Sequence, residues 1–199
     1  MKMIAMLPQL LTGLRLASIP FLWWAAYTAH WQVALFIFFI AALTDVFDGY
    51  FARKFDVVTK FGAAFDPFVD KLLTISLVTI MYLVPTMLQA PFWFFILMLS
   101  KELLLVFGAV YFGFIRREIV ISAAVPGKIA GVLQGFLTLY WLFCLSFWSQ
   151  LLGAFGFSRL FSLIWWGYTI FYGLMILVVV AHGAALLFYG AIFLLQRRR

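Results

Sequence analysis

A chain of 199 residues that is 67% hydrophobic and only 11% charged, with a mean hydropathy of +1.12, lies far from the roughly 25% charged content of soluble domains, which excludes an ordinary water-soluble globule. The net charge of +7 is spread between apolar runs rather than gathered into one basic domain, so nucleic acid is excluded as its partner. The single cysteine, Cys144, has no disulfide partner and no neighbours at metal-ligand spacing, and it reads as apolar filler.

A membrane-spanning helix needs about 20 apolar residues. Apolar runs near 11–29, 31–51, 62–84, 91–115, 129–150 and 161–195 therefore predict an all-α integral membrane protein, a bundle of about six transmembrane helices. The connections, among them 29–31, 84–91 and 116–128, are too short to separate domains, so residues 1–199 are expected to form one membrane domain. Lys2, Lys54, Lys60, Arg116, Arg117, Lys128 and Arg197 to Arg199 fall on one side of this arrangement, and only Arg159 on the other. By the positive-inside rule both termini are cytoplasmic. The N-terminal stretch shows no convincing cleavage site and is expected to be retained.

In chain order, the first run carries Thr12 and Arg15 three residues apart, on one helical face near the cytoplasmic end. The second run ends in Asp45 and Asp48, with Gly49, Ala52 and Arg53 at spacings that gather all five along one face. After a loop at 54–61, Gly62, Asp66 and Asp70 recur every four residues and form a second stripe. If the loop reverses the chain, four carboxylates meet. Carboxylates in a membrane helix generally face a cavity, a counter-charge or an ion, and four together cannot all stay ionised without a cation. Oxygen-only ligands favour Mg²⁺, Mn²⁺ or Ca²⁺ over zinc. Gly49, Ala52 and Gly62 leave room for a ligand to approach, and Arg53 offers a fork of donors to phosphate. A metal-bound diphosphate would fit between the stripes. The alternative is a set of structural ion pairs in which Arg53, Lys54 and Lys71 neutralise the aspartates.

The fourth run contains Lys101 and Glu102, which either pair with each other or leave Lys101 to bind an anion. Arg116, Arg117 and Lys128, in and after the next connection, enforce topology, touch anionic headgroups or bind substrate. His182 in the last run reads as a satisfied packing residue. The many Phe and Trp residues suit lipid contact and interfacial belts.

Written out, the stripes spell D-x2-D-G-x2-A-R-x8-G-x3-D-x3-D from Asp45 to Asp70. This resembles the signature of the CDP-alcohol phosphatidyltransferase family. The resemblance implies a six-helix enzyme with two divalent metal ions, Mg²⁺ or Mn²⁺, and a CDP-linked lipid in a cytoplasm-facing active-site cavity. Carried over, Asp45, Asp48, Asp66 and Asp70 would be the metal ligands, and Asp48, Gly49, Ala52, Arg53 and Gly62 would contact the CDP. Asp70 would remove the proton from the acceptor hydroxyl or orient that hydroxyl.

The opening Leu7-Pro8-Gln9-Leu10-Leu11-Thr12-Gly13-Leu14-Arg15, followed by Pro20, and the stretch from Phe61 to Lys71 are similar to the phosphatidylglycerophosphate synthases and the cardiolipin synthases of that family, which usually have asparagine in place of Gln9. Those synthases carry Arg-Glu or Arg-Asp where this chain has Lys101-Glu102. They carry a G-K-x-K-T-type segment where Gly127-Lys128-Ile129-Ala130-Gly131 stands, so the second lysine and the threonine are missing. The resemblance makes Thr12, Arg15, Lys101, Arg116 and Lys128 the candidates for the acceptor's phosphate.

The expected partners are CDP-diacylglycerol, an alcohol acceptor and membrane lipids; a homodimer would be ordinary for the family. The leading expectation is transfer to glycerol 3-phosphate, with transfer to phosphatidylglycerol second. A reading from a different class, a divalent-cation transporter, ranks below both because no acidic relay continues across the membrane.

Overall fold

Apolar side chains recurring along each run, with few interior helix breakers, make six helices among the described residues. The computed structural model describes the backbone of residues 2–55, 60–110, 125–155 and 157–197, and the side chains of 10–44, 68–105, 107, 125–148, 150–151 and 161–191. The helices are α1 (Lys2–Tyr27), α2 (Trp31–Phe55), α3 (Lys60–Leu83), α4 (Phe92–Val110), α5 (Val125–Phe155) and α6 (Phe157–Arg197). Helix α5 starts four residues ahead of its predicted run, with Pro126 in its first turn, where a missing N–H leaves no bond unmade.

Helix α1 packs on α2 and α3, α2 on α5, α5 on α6, α6 on α4, and α4 on α3. Followed from neighbour to neighbour, these pairs close into a ring in the order α1, α2, α5, α6, α4, α3. Helices α1 and α2 pack on each other, and small residues of both, Ala25, Ala26, Ala34 and Ala41, are buried. Small side chains let helix backbones approach where no water-driven force holds helices together. The remaining core is Leu22, Phe38, Leu73, Leu77, Met81, Leu137, Trp141, Phe171, Met175 and Val178. The outer faces are apolar too: Phe36, Phe39, Trp93, Phe107, Trp165, Trp166 and Leu187 are exposed, a surface suited to lipid.

Among the described residues, Val125–Trp148 and Phe161–Ala191, of 24 and 31 residues, are long and apolar enough to cross a membrane, and Trp31–Thr44 is a shorter apolar helix. Hydroxyls inside the helices return to their own backbone: Ser18 donates to Arg15 O at 2.6 Å, Thr44 to Ala41 O at 2.7 Å and Thr79 to Ile75 O at 2.6 Å. That satisfies polar groups where no water is at hand.

The turns at one end of the bundle are fastened by hydrogen bonds. Ala29 takes φ 56°, while His30 N–H donates to Ala25 O at 2.8 Å and Ala29 N–H to Ala26 O at 3.1 Å. This is a Schellman closure of α1 with alanine in the left-handed position that glycine normally takes. At the α3–α4 turn, Ala90 N–H donates to Met81 O at 2.8 Å and Gln89 Nε2 to Tyr82 O at 2.6 Å. Trp141 Nε1 of α5 donates to Leu88 O at 2.8 Å, and its ring meets Trp31 edge-on at 5.7 Å.

Candidate active site

The predicted residues lie at the opposite end from these turns. Asp45, Asp48, Gly49, Ala52 and Arg53 are on α2 and Gly62, Asp66 and Asp70 on α3, as their spacing requires. Of this group only Asp70 has a described side chain, and it is exposed; the other seven side chains lie outside the described residues. Asp48 precedes the end of α2 at Phe55 by seven residues, and Asp66 follows the start of α3 at Lys60 by six. At about 1.5 Å per residue each pair lies roughly 9 to 15 Å from its helix end. The connecting residues 56–59 can span at most about 18 Å, which keeps those ends near each other. Among the described residues no three His, Cys, Asp or Glu side chains cluster. Carboxylates on successive helices would, if they meet, make an all-oxygen set of the kind that suits hard divalent ions.

Helix α1 touches both aspartate-bearing helices. Its Thr12 and Arg15 are each only 2% exposed. Counting back from the α1–α2 turn places them level with residues 43–46 of α2, beside the first aspartate pair.

Lys101 is 7% exposed and Glu102 2%. Lys101 Nζ contacts Glu102 Oε1, and Lys71 Nζ lies 2.7 Å from Glu102 Oε2. Lys71, one of the cations considered as a neutraliser of the aspartates, is therefore engaged by α4. The mutual pairing weighed for Lys101 and Glu102 is what forms. Removing a cation from water in an apolar bundle demands such a partner. The cluster is not isolated, because the charge of Asp70 acts on Lys101.

Lys128 is exposed in the first turn of α5. Its neighbour Gly127 has a packing role: a Cβ there would come within 2.5 Å of the Tyr189 hydroxyl of α6. Arg116 and Arg117 lie outside the described residues. His182 is buried with Nδ1 2.8 Å from Val178 O, and Cys144 is buried in the apolar core, as expected of a filler. Gln134 was not singled out by its sequence context. It is 6% exposed on α5, on the same face as Ala130, Leu137, Thr138 and Trp141, and only that buried spacing could have drawn attention to it.

The family profile described as CDP-alcohol phosphatidyltransferase matches residues 5–179. Among curated proteins, the chain is 44% identical over 80 residues to the CDP-diacylglycerol--glycerol-3-phosphate 3-phosphatidyltransferase of Rickettsia typhi, covering 39% of this chain and 44% of that protein. It is 47% identical over 70 residues to the protein of the same name from Salmonella choleraesuis, covering 34% and 38%. A Mycobacterium bovis protein named "Putative cardiolipin synthase" is 29% identical over 177 residues, 86% of this chain and 80% of that one. The matched segment thus spans less than half of the rickettsial and Salmonella relatives. No solved structure matches significantly. With the profile extending over nearly all of the ring of helices, this chain belongs to the CDP-alcohol phosphatidyltransferase family.

Proposed function

We propose that the chain is a metal-dependent membrane enzyme that transfers the phosphatidyl group of CDP-diacylglycerol to glycerol 3-phosphate and releases CMP. The observation that carries this reading is the family match over residues 5–179. The acceptor is taken from the names of the rickettsial and Salmonella relatives. Six spans, cytoplasmic termini and a cytoplasm-facing cavity complete the proposal, supported by the distribution of basic residues.

Asp45, Asp48, Asp66 and Asp70 would hold two divalent ions, Mg²⁺ or Mn²⁺. When bound, these supply the charge that polarises the diphosphate and stabilises the leaving CMP. Asp48, Gly49, Ala52, Arg53 and Gly62 line the place of the CDP, Arg53 offering two parallel donors to a phosphate. One oxygen of Asp70 takes the proton of the acceptor hydroxyl. The hydroxyl oxygen bonds to the phosphorus of the phosphatidyl group, and the bond from that phosphorus to CMP breaks. Thr12, Arg15 and Lys128, together with Lys101 as held by Glu102, are the groups assigned to the acceptor's phosphate, with Arg116 a further member.

A second reading, transfer to phosphatidylglycerol, is favoured by the mycobacterial relative, whose alignment covers 86% of this chain. The absent second lysine and threonine after Lys128 suit an acceptor that makes fewer phosphate contacts. Release of CMP from CDP-diacylglycerol, assayed with a panel of alcohols, decides between them. Turnover with glycerol 3-phosphate is expected. Turnover with phosphatidylglycerol alone selects the second reading, and metal uptake by liposomes without CMP release selects transport over both.

A further inference from the structure

Gln134 presents two polar atoms to the inside of the bundle with nothing to meet them: neither Nε2 nor Oε1 has a hydrogen-bond partner among the described residues. Its backbone carbonyl accepts from Thr138 Oγ1 at 3.0 Å, so the next turn occupies the main chain and leaves the amide alone. An amide buried without partners destabilises the protein that carries it.

A second group at the same height is half satisfied. His182 is 8% exposed, and its Nδ1 lies 2.8 Å from Val178 O. A carbonyl only accepts, so Nδ1 carries the proton and Nε2 of the neutral ring keeps a lone pair. Helices α5 and α6 run antiparallel, with Gly127 against Tyr189 and Trp148 against Gly167. Each step along one is a step back along the other, and this register sets Gln134 level with His182. His182 in turn lies within electrostatic reach of Lys101, Glu102 and Lys71, and Lys101 within reach of Asp70. One polar layer thus runs from α5 through α6 and α4 to α3 and the proposed base.

The donor and acceptor pattern selects the ligand. A phosphate only accepts hydrogen bonds, and it would leave Gln134 Oε1 and His182 Nε2 without donors. A hydroxyl both gives and takes: it accepts from Gln134 Nε2 and donates to His182 Nε2. On the transferase reading above, we propose that Gln134 and His182 form the subsite for the non-reacting hydroxyl of a glyceryl phosphate acceptor, with the Lys101–Glu102–Lys71 cluster beside them on its anionic side and the reacting hydroxyl left to Asp70. Glycerol 3-phosphate and the headgroup of phosphatidylglycerol share this chemistry.

The test uses the full chain in lipid nanodiscs, measuring kinetics and thermal melting of wild type, Gln134→Met and Gln134→Asn. Gln134→Met keeps the side chain's length without its polar atoms. It should raise the acceptor KM about tenfold, the worth of one to two neutral hydrogen bonds, while the donor KM stays unchanged. Its melting temperature without substrate should equal or exceed that of wild type, because an unmatched amide has gone. Glycerol 3-phosphate should raise the wild-type melting temperature and fail to do so in Gln134→Met, whereas the shift given by inorganic phosphate persists. Discs with and without phosphatidylglycerol identify which acceptor the subsite takes. Gln134→Asn, which retains an amide set back by one methylene, should fold and show a smaller rise in acceptor KM. Normal CMP release with an unchanged acceptor KM in both variants, or a lowered melting temperature in Gln134→Met, overturns the subsite alone. Absence of CMP release by the wild type overturns the transferase reading on which it rests.

Discussion

The two ends of this bundle are built from different interactions. At the turn end, α1 closes by a Schellman motif, the α3–α4 loop is tied to the carbonyls of Met81 and Tyr82, and Trp141 is bonded to Leu88. Every one of these bonds joins neutral groups and needs no ligand. At the aspartate end the chain places acidic residues on α2 and α3, a buried Arg15 on α1, and a Lys71–Glu102–Lys101 cluster between α3 and α4. Charges removed from water are costly unless compensated, so stability at this end is linked to what it binds. One end ties the helices by neutral bonds, and the other carries the residues proposed above for the chemistry.

Substitutions at each end separate the two roles, and the largest effect belongs to Asp70→Asn. Loss of the carboxylate proposed to take up the acceptor's proton should lower CMP release by about a hundredfold or more. The melting temperature should change little, since Asp70 is exposed. Near-normal turnover at saturating metal would remove Asp70 from the chemistry.

Glu102→Gln strikes the junction of the two regions. It leaves Lys101, 7% exposed, and Lys71 without their shared carboxylate. Breaking such a buried pair from one side costs about 3–5 kcal/mol, read as a large drop in thermal or denaturant midpoint. An unchanged midpoint would mean that water or another group compensates Lys101.

Trp141→Phe tests the turn end. The ring is fully buried and donates to Leu88 O. Its replacement should destabilise by about 1–3 kcal/mol, the cost of leaving a buried carbonyl unsatisfied, while the KM values for donor and acceptor remain as they were. A changed acceptor KM would break the division between the ends.

The smallest effect is expected from Ala29→Gly. A left-handed φ of 56° strains alanine by about 1–2 kcal/mol relative to glycine, although glycine also gives the unfolded chain more freedom. A net stabilisation of up to about 1 kcal/mol should appear as a modest rise in melting temperature. A fall would show that the entropy of the unfolded chain outweighs the strain.

Hydropathy predicted the helices because apolar runs of membrane length have few other structures open to them. The fixed spacing from Asp45 to Asp70 predicted the family for a related reason: it reads helical faces, which are local. What sequence could not supply depends on contacts between helices. The pairing of Lys101 with Glu102 was open to the sequence, but nothing along the chain announces that Lys71 of α3 joins them. Gly127 matched part of an acceptor segment, yet the close approach of Tyr189 across the α5–α6 contact is visible only in three dimensions. Ala29 escaped notice because the Schellman position is usually recognised by a glycine. Gln134 is one polar residue in an apolar run, and only its burial shows that its amide has no partner among the described residues.

The most direct test of the central claim, that clustered carboxylates at one end of the bundle hold metal for phosphatidyl transfer, is CMP release from CDP-diacylglycerol after exhaustive EDTA treatment. Four aspartates gathered as proposed would require divalent cations both to remain ionised together and to activate a diphosphate. Turnover with glycerol 3-phosphate should therefore fall to background and return on addition of Mg²⁺ or Mn²⁺, with the folded state retained throughout. Undiminished CMP release in the metal-free assay would contradict the account.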